Sequence, residues 1–145
     1  MRTRGAEDVG RFSVDIELAN NDDLALARRG LLPPDQVRRE TIRGVVDSGA
    51  VRLVLPEAVV KRLGVPTGDA IYVKYADGRR SRRKQAQGVA AQLLGRSGIF
   101  SAVVEPRRET ALIGAIVLED LDLLVDCTNQ RLVPRDPSGP LSEIE

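Results

Sequence analysis

Phe12, Val14, Ile16 and Leu18 alternate with Ser13, Asp15 and Glu17. A period of two places the four apolar side chains on one face of a half-buried strand. Asn20, Asn21, Asp22 and Asp23 break the pattern, and residues 24–29 fit a short helical turn capped by Asp22 or Asp23. Gly30 and Pro33-Pro34 make the stretch 20–35 a loop or small insertion. A second strand, 36–46, carries the chain into Asp47, and a third covers 51–55. Pro56 then suits a first helical position, with Glu57 in the first turn and Lys61 and Arg62 in the last, each sign matched to the helix dipole. Val59, Val60 and Leu63 share a face, and Gly64 ends the helix. Strands follow over 71–75, 89–94, 99–104, 123–125 and 131–133, with Asp77-Gly78 as a hairpin signal, 95–98 as a turn and a short helix over 115–121. About eight or nine short strands with regular turns and two or three small helices predict an all-β, closed, barrel-like domain.

Composition narrows the chemistry. A chain of 145 residues supports one domain with a real core, and with two Phe, two Tyr and no Trp that core must be aliphatic. The absence of His removes the commonest general base and the commonest metal ligand. A single cysteine, Cys127, excludes an intrachain disulfide and a thiolate-rich zinc site, and reads as a small buried hydrophobe. No cofactor and no metal are expected. Lys61, Lys74 and Lys84 have no serine at a spacing that points to a Ser–Lys hydrolase, so carboxylates are the groups left for acid–base work. Asp77 reads as a turn residue, and Asp126 as an acceptor for backbone N–H groups.

Net charge is +1, which argues against a globally basic nucleic-acid binder. The run Arg79, Arg80, Arg82, Arg83 and Lys84 has no interleaved aromatics for base stacking, so it reads as the solvated face of a hairpin projecting from the body. No apolar run approaches the roughly 18 residues of a membrane span, and residues 1–11 lack a signal-peptide core, which gives a cytoplasmic expectation without membrane partners. Residues 1–11 and 136–145 read as disordered segments around a domain of residues 12–135.

The stretch with chemical content is Val45-Val46-Asp47-Ser48-Gly49-Ala50. A carboxylate at the end of an apolar strand is partly desolvated, so it needs hydrogen bonds or its pKa rises. Ser48 offers a hydroxyl, and Gly49 admits a close approach or a positive φ. The same three residues also suit an ordinary β-turn.

In order along the chain, four stretches resemble the retropepsin-like aspartic proteases, in particular their bacterial single-domain members. Val45-Val46-Asp47-Ser48-Gly49-Ala50 is similar to their Asp-Thr/Ser-Gly-Ala active loop. Leu55-Pro56-Glu57 through Leu63-Gly64 is similar to the segment that follows it, and Tyr75-Ala76-Asp77-Gly78-Arg79 to their flap. Leu112-Ile113-Gly114 with Leu118-Glu119-Asp120 resembles the paired-apolar glycine loop and its helix. The resemblance implies a closed acid-protease barrel with a flap, hydrolysing peptide bonds when two active loops meet. Asp47 would be the catalytic group, supported by Ser48 and Gly49. Ala50, Ala76, Asp77 and Gly78 would line the peptide groove, and Leu112, Ile113 and Gly114 would pack beneath the loop, the two apolar residues as core first.

Only one Asp-Ser-Gly is present, so a carboxylate pair requires a symmetric homodimer. Two carboxylates about 4 Å apart, at an effective dielectric of about 20, repel by about 4 kcal/mol. Their titrations then split by about 3 pKa units, which leaves one as base and the other as acid. The alternative is a non-catalytic dimeric peptide-binding module of the same fold. Two departures matter: Ala115 stands where retroviral members carry Arg, and the flap is basic, which favours acidic substrates. Leu132 and Val133 would supply contacts between subunits.

Overall fold

The computed structural model describes residues 11–145. The N-terminal expectation for residues 1–10 lies outside the described residues. Strand β1 (Arg11–Asn20) leads into α1 (Asn21–Arg28), a 3-10 turn (Pro34–Gln36) and β2 (Arg39–Asp47). Then come β3 (Leu53–Pro56), α2 (Glu57–Leu63), β4 (Thr67–Lys74), β5 (Arg80–Leu93) and β6 (Arg96–Glu105). The last elements are β7 (Ala111–Ile113), α3 (Ala115–Asp120), β8 (Leu123–Asp126) and β9 (Arg131–Pro134). No described helix is long and apolar enough to cross a membrane.

Seven strands pair in the order β1-β2-β7-β3-β6-β5-β4, and an added β1–β5 pairing closes the first six into a barrel. Closure removes the free edges that an open sheet of this composition would expose. The interior is aliphatic, with Ile16, Val46, Leu55, Leu63, Val89, Ile113 and Val117 all fully buried. The expected all-β barrel is therefore the fold, and its period-two patterns predict the inward faces: Ile16 and Leu18 point in while Asp15 and Glu17 are exposed.

Several elements differ from their sequence expectations. Helix α1 starts earlier, because Asn20 rather than Asp22 or Asp23 is the cap: its side chain accepts from the Asp23 N–H at 3.0 Å. Strand β5 runs unbroken from the charged stretch into the core, bending where Gly88 takes a φ of 65° between Ala86 and Val89. The β5–β6 turn is Leu94-Gly95, with φ of 51° and 77°, so Gly98 lies inside β6 instead of in a turn. Strands β8 and β9 form a two-stranded sheet of their own rather than closing the barrel. Cys127 is exposed, not buried, because it sits in the β8–β9 turn.

Arg96, unremarkable in the sequence, is buried. It donates to the carbonyls of Leu121 and Asp122, at 3.2 and 2.8 Å, and to that of Asp136. Beyond Pro134 the chain has no helix or strand, yet Leu141 N–H reaches Asp122 Oδ2 at 3.0 Å and Arg135 Nε reaches Oδ1 at 2.6 Å. Burial of a guanidinium is tolerated here because oriented carbonyls satisfy it.

Candidate active site

Asp47 is the last residue of β2, delivered to the surface by a strand whose Val46 is fully buried. Its carboxylate side chain keeps 20% exposure. Oδ1 accepts the Gly49 N–H at 3.0 Å, and the Asp47 carbonyl accepts the Ala50 N–H at 3.1 Å, so the loop is a tight turn folded onto its own acid. Gly49 contributes through space and not through a positive φ: a Cβ there would stand 3.3 Å from Oδ1. The Ser48 hydroxyl is exposed and has no hydrogen bond to another described residue.

Strand β7 lies between β2 and β3, parallel to the first and antiparallel to the second. Val46 faces Ile113 in register, so Leu112-Ile113-Gly114 runs directly beside the Asp47 loop. Ile113 is fully buried in the core, whereas Leu112 is half-buried. A Cβ on Gly114 would fall 2.6 Å from the Arg52 carbonyl oxygen, so only glycine lets the two backbones approach. Immediately after it, Ala115 N–H donates to the Ala50 carbonyl at 2.8 Å and Ile116 N–H to the Val51 carbonyl at 2.9 Å. The loop carbonyls thereby satisfy the first free N–H groups of α3. Backbone hydrogen bonds from the start of α3 thus brace the end of the loop.

Sheet register adds a residue that sequence reading missed. Arg11 stands directly across β1–β2 from Asp47. Its Nη2 and Nε both donate to Asp47 Oδ2, at 2.8 and 3.2 Å. A second arginine, Arg108, precedes β7; its Nε donates to the Thr110 carbonyl at 2.7 Å and Nη2 to that of Ala111 at 3.4 Å. Burial pushes the Arg108 guanidinium below its ordinary value; the charges of Glu105 and Asp47 oppose that and the charge of Arg11 adds to it. Arg108 thus lies in the field of both members of the Arg11–Asp47 pair. Nothing in the sequence distance between residues 11, 47 and 108 signals this grouping.

The hairpin of β4 and β5 turns at residues 75–79, with Gly78 at a φ of 89°. Ala76, Asp77 and Gly78 are exposed at its tip. Asp77 does serve the turn, accepting the Arg79 N–H at 2.9 Å, and that bond holds its carboxyl below the usual range. The hairpin is not a free projection, however. Tyr75 Oη donates to Glu105 Oε2 at 2.7 Å, and Arg83 bonds the other oxygen of the same carboxylate. Burial, reinforced by Glu105, pushes the Tyr75 phenol up. Aromatics also accompany the cationic run: Arg79 lies 4.7 Å from the ring of Tyr75 within the turn, and Arg82 5.9 Å from that of Tyr72 on the opposing strand. Glu105 therefore anchors the hairpin, and Arg108 sits in the field of both Glu105 and Asp47. A separate cleft of about 480 Å³, lined by Glu17, Leu24, Arg28, Arg39, Ala90 and Ile99, includes none of these residues.

No protein-family model and no curated protein sequence matches the chain. Among solved structures, the chain is similar to EIAV protease complexed with the inhibitor HBY-793. The two are 18% identical, with a TM-score of 0.51, over 76% of this chain and 86% of that one. That likeness shows a retropepsin-like fold.

Proposed function

We propose that the protein is a homodimeric aspartic endopeptidase in which two copies of Asp47, one per subunit, activate a water molecule. The observation that carries this reading is the presentation of Asp47: a single carboxylate at the end of a buried strand, fixed by Gly49 N–H and still 20% exposed. The retropepsin-like fold supports it. In the pair, one ionised carboxylate takes a proton from water while the resulting oxygen attacks the peptide carbonyl carbon, and the other, protonated, carboxyl gives its proton to the carbonyl oxygen. Collapse of the tetrahedral diol breaks the C–N bond: the first carboxyl passes the proton it took from water to the leaving nitrogen, and the second carboxylate regains a proton from a diol hydroxyl. Gly49 holds each carboxylate, and in this reading the Ser48 hydroxyl bonds across the dimer. Ala50 and the tip residues Ala76, Asp77 and Gly78 line the groove, where an extended peptide binds by strand-like hydrogen bonds.

Dimer formation is supported by apolar surface beside the loop. Val51 is 62% and Ile116 43% exposed, and a hydrogen bond joins them. The lone β8–β9 sheet also offers strand edges to a second copy. One observation favours the alternative, a non-catalytic peptide-binding module: Arg11 neutralises Asp47 within the single chain. The deciding experiment is digestion of a peptide library between about pH 4 and 7, the range of a carboxylate pair, by wild type and Asp47→Asn. Cleavage lost in the variant is expected. Cleavage that persists would refute the assignment, and binding without cleavage by wild type would favour the module.

A further inference from the structure

The charges around Asp47 do not balance. Asp47 is paired by Arg11, and Glu105 is paired by Arg83. Arg108 lies in the field of both acids, and its hydrogen bonds go to neutral oxygens of Thr110 and Ala111. Three guanidinium groups therefore face two carboxylates among the described residues. Arg108 is also half-buried, held against Ala111, which pairs with Gly44 on the strand leading to Asp47. A partly desolvated cation without a carboxylate gains more from an arriving anion than an exposed one does. The hairpin that Glu105 anchors adds Arg79, Arg80, Arg82 and Lys84, of which Arg79 is paired with Asp77.

We propose that the groove beside Asp47 selects peptides carrying Asp or Glu next to the scissile bond, with Arg108 reading the acid and Arg11 passing from Asp47 to that acid as the peptide binds. This deepens, and rests on, the reading of Asp47 as the catalytic carboxylate. The logic is one of exchange. While Arg11 occupies Oδ2, a second carboxylate cannot share a proton there. An acidic side chain brings a new partner for Arg11 and Arg108 together and frees Oδ2. A neutral peptide offers no such partner.

The test uses the full chain. Peptides cut from a mixed library by wild type should be enriched in Asp or Glu beside the cleaved bond. One such sequence is resynthesised with Gln, and with Lys, in place of the acid. The acidic peptide should exceed the Gln peptide in kcat/KM by about tenfold or more, the worth of one charged hydrogen bond. Arg108→Glu should invert the ranking toward the Lys peptide, and Arg11→Gln should shrink the acid-to-Gln ratio. Raising ionic strength from about 0.1 to about 1 M should also shrink it in wild type, as the Debye length falls from about 10 to about 3 Å. A ratio near one in wild type, insensitive to salt, overturns the inference while leaving Asp47 untouched. Should Arg108→Glu not fold, Arg108→Gln and the wild-type salt series decide the matter. If wild type cuts nothing, binding of the uncut labelled peptides separates the two ideas: tighter binding of the acidic one keeps the charge selection and discards the protease, and equal or no binding discards both.

Discussion

Two aspartate–arginine pairs in this molecule have similar distances and different surroundings. Asp23, with a side chain 8% exposed, accepts the Arg38 backbone N–H at 3.0 Å, its Nε at 2.8 Å and its Nη2 at 3.0 Å. The neighbouring Asn20 caps α1 and donates to the Leu63 carbonyl at 2.9 Å. That pair closes a joint between β1, α1, α2 and the start of β2, and both carboxylate oxygens of Asp23 are engaged in it. Asp47 has one guanidinium on one oxygen, one N–H on the other, and an open side. A carboxylate committed on all sides holds structure together; one with an accessible face is available for chemistry. Each acid accepts three N–H groups, so the pairs differ in burial, with Asp23 closed in by its joint and Asp47 left open at the end of its strand.

The largest effect that breaks this contrast is catalytic. Asp47→Asn should lower peptide hydrolysis by about 10³-fold, within the range of a lost acid–base group, while thermal unfolding moves little. Asp23→Ala should do the reverse. Its loss strands the Arg38 donors and should cost about 2–3 kcal/mol in urea unfolding, less than a fully buried pair because Arg38 is half-exposed. Gly114→Ala tests whether the Asp47 loop is as fixed as the Asp23 joint. Its Cβ must push the Arg52 carbonyl away, so about 2 kcal/mol of overpacking is expected, with activity falling further than stability.

The two pairs also separate by pH. The bonds from Arg38 hold the Asp23 carboxyl below its ordinary value against the opposing effect of burial. A depressed folded pKa means the unfolded chain binds more protons, so this contribution is present above the unfolded value of about 3.9 and is lost as pH falls through the folded one. The stability gap between wild type and Asp23→Asn, read from urea midpoints, should therefore be open at neutral pH and shrink well below pH 4. Equal gaps across that range would show that the ion pair is not what Asp23 contributes. Smallest of all, Cys127→Ser should change stability by less than about 0.5 kcal/mol, since the thiol is exposed.

Local chemistry made much of this protein legible in its sequence. Alternation in 12–18 marks the inward face of β1, and Pro56 with Gly64 brackets α2, whose last turn closes on the expected left-handed glycine at φ 66°. The Asp47 turn is equally local, because Gly49 N–H and the Asp47 carboxylate are two residues apart. What the tertiary structure decided is which distant groups share a place. Arg11 and Asp47 are 36 residues apart, and only the β1–β2 register sets them face to face. Arg96 joins residues as far as 40 positions away, and Glu105 reaches back 30 to Tyr75. Those meetings follow from strand pairing and barrel closure, which no short stretch of sequence encodes by itself. The acid, its loop and Gly49 were written locally; the approach of Gly114 and the charges that surround the acid were set by the closed sheet.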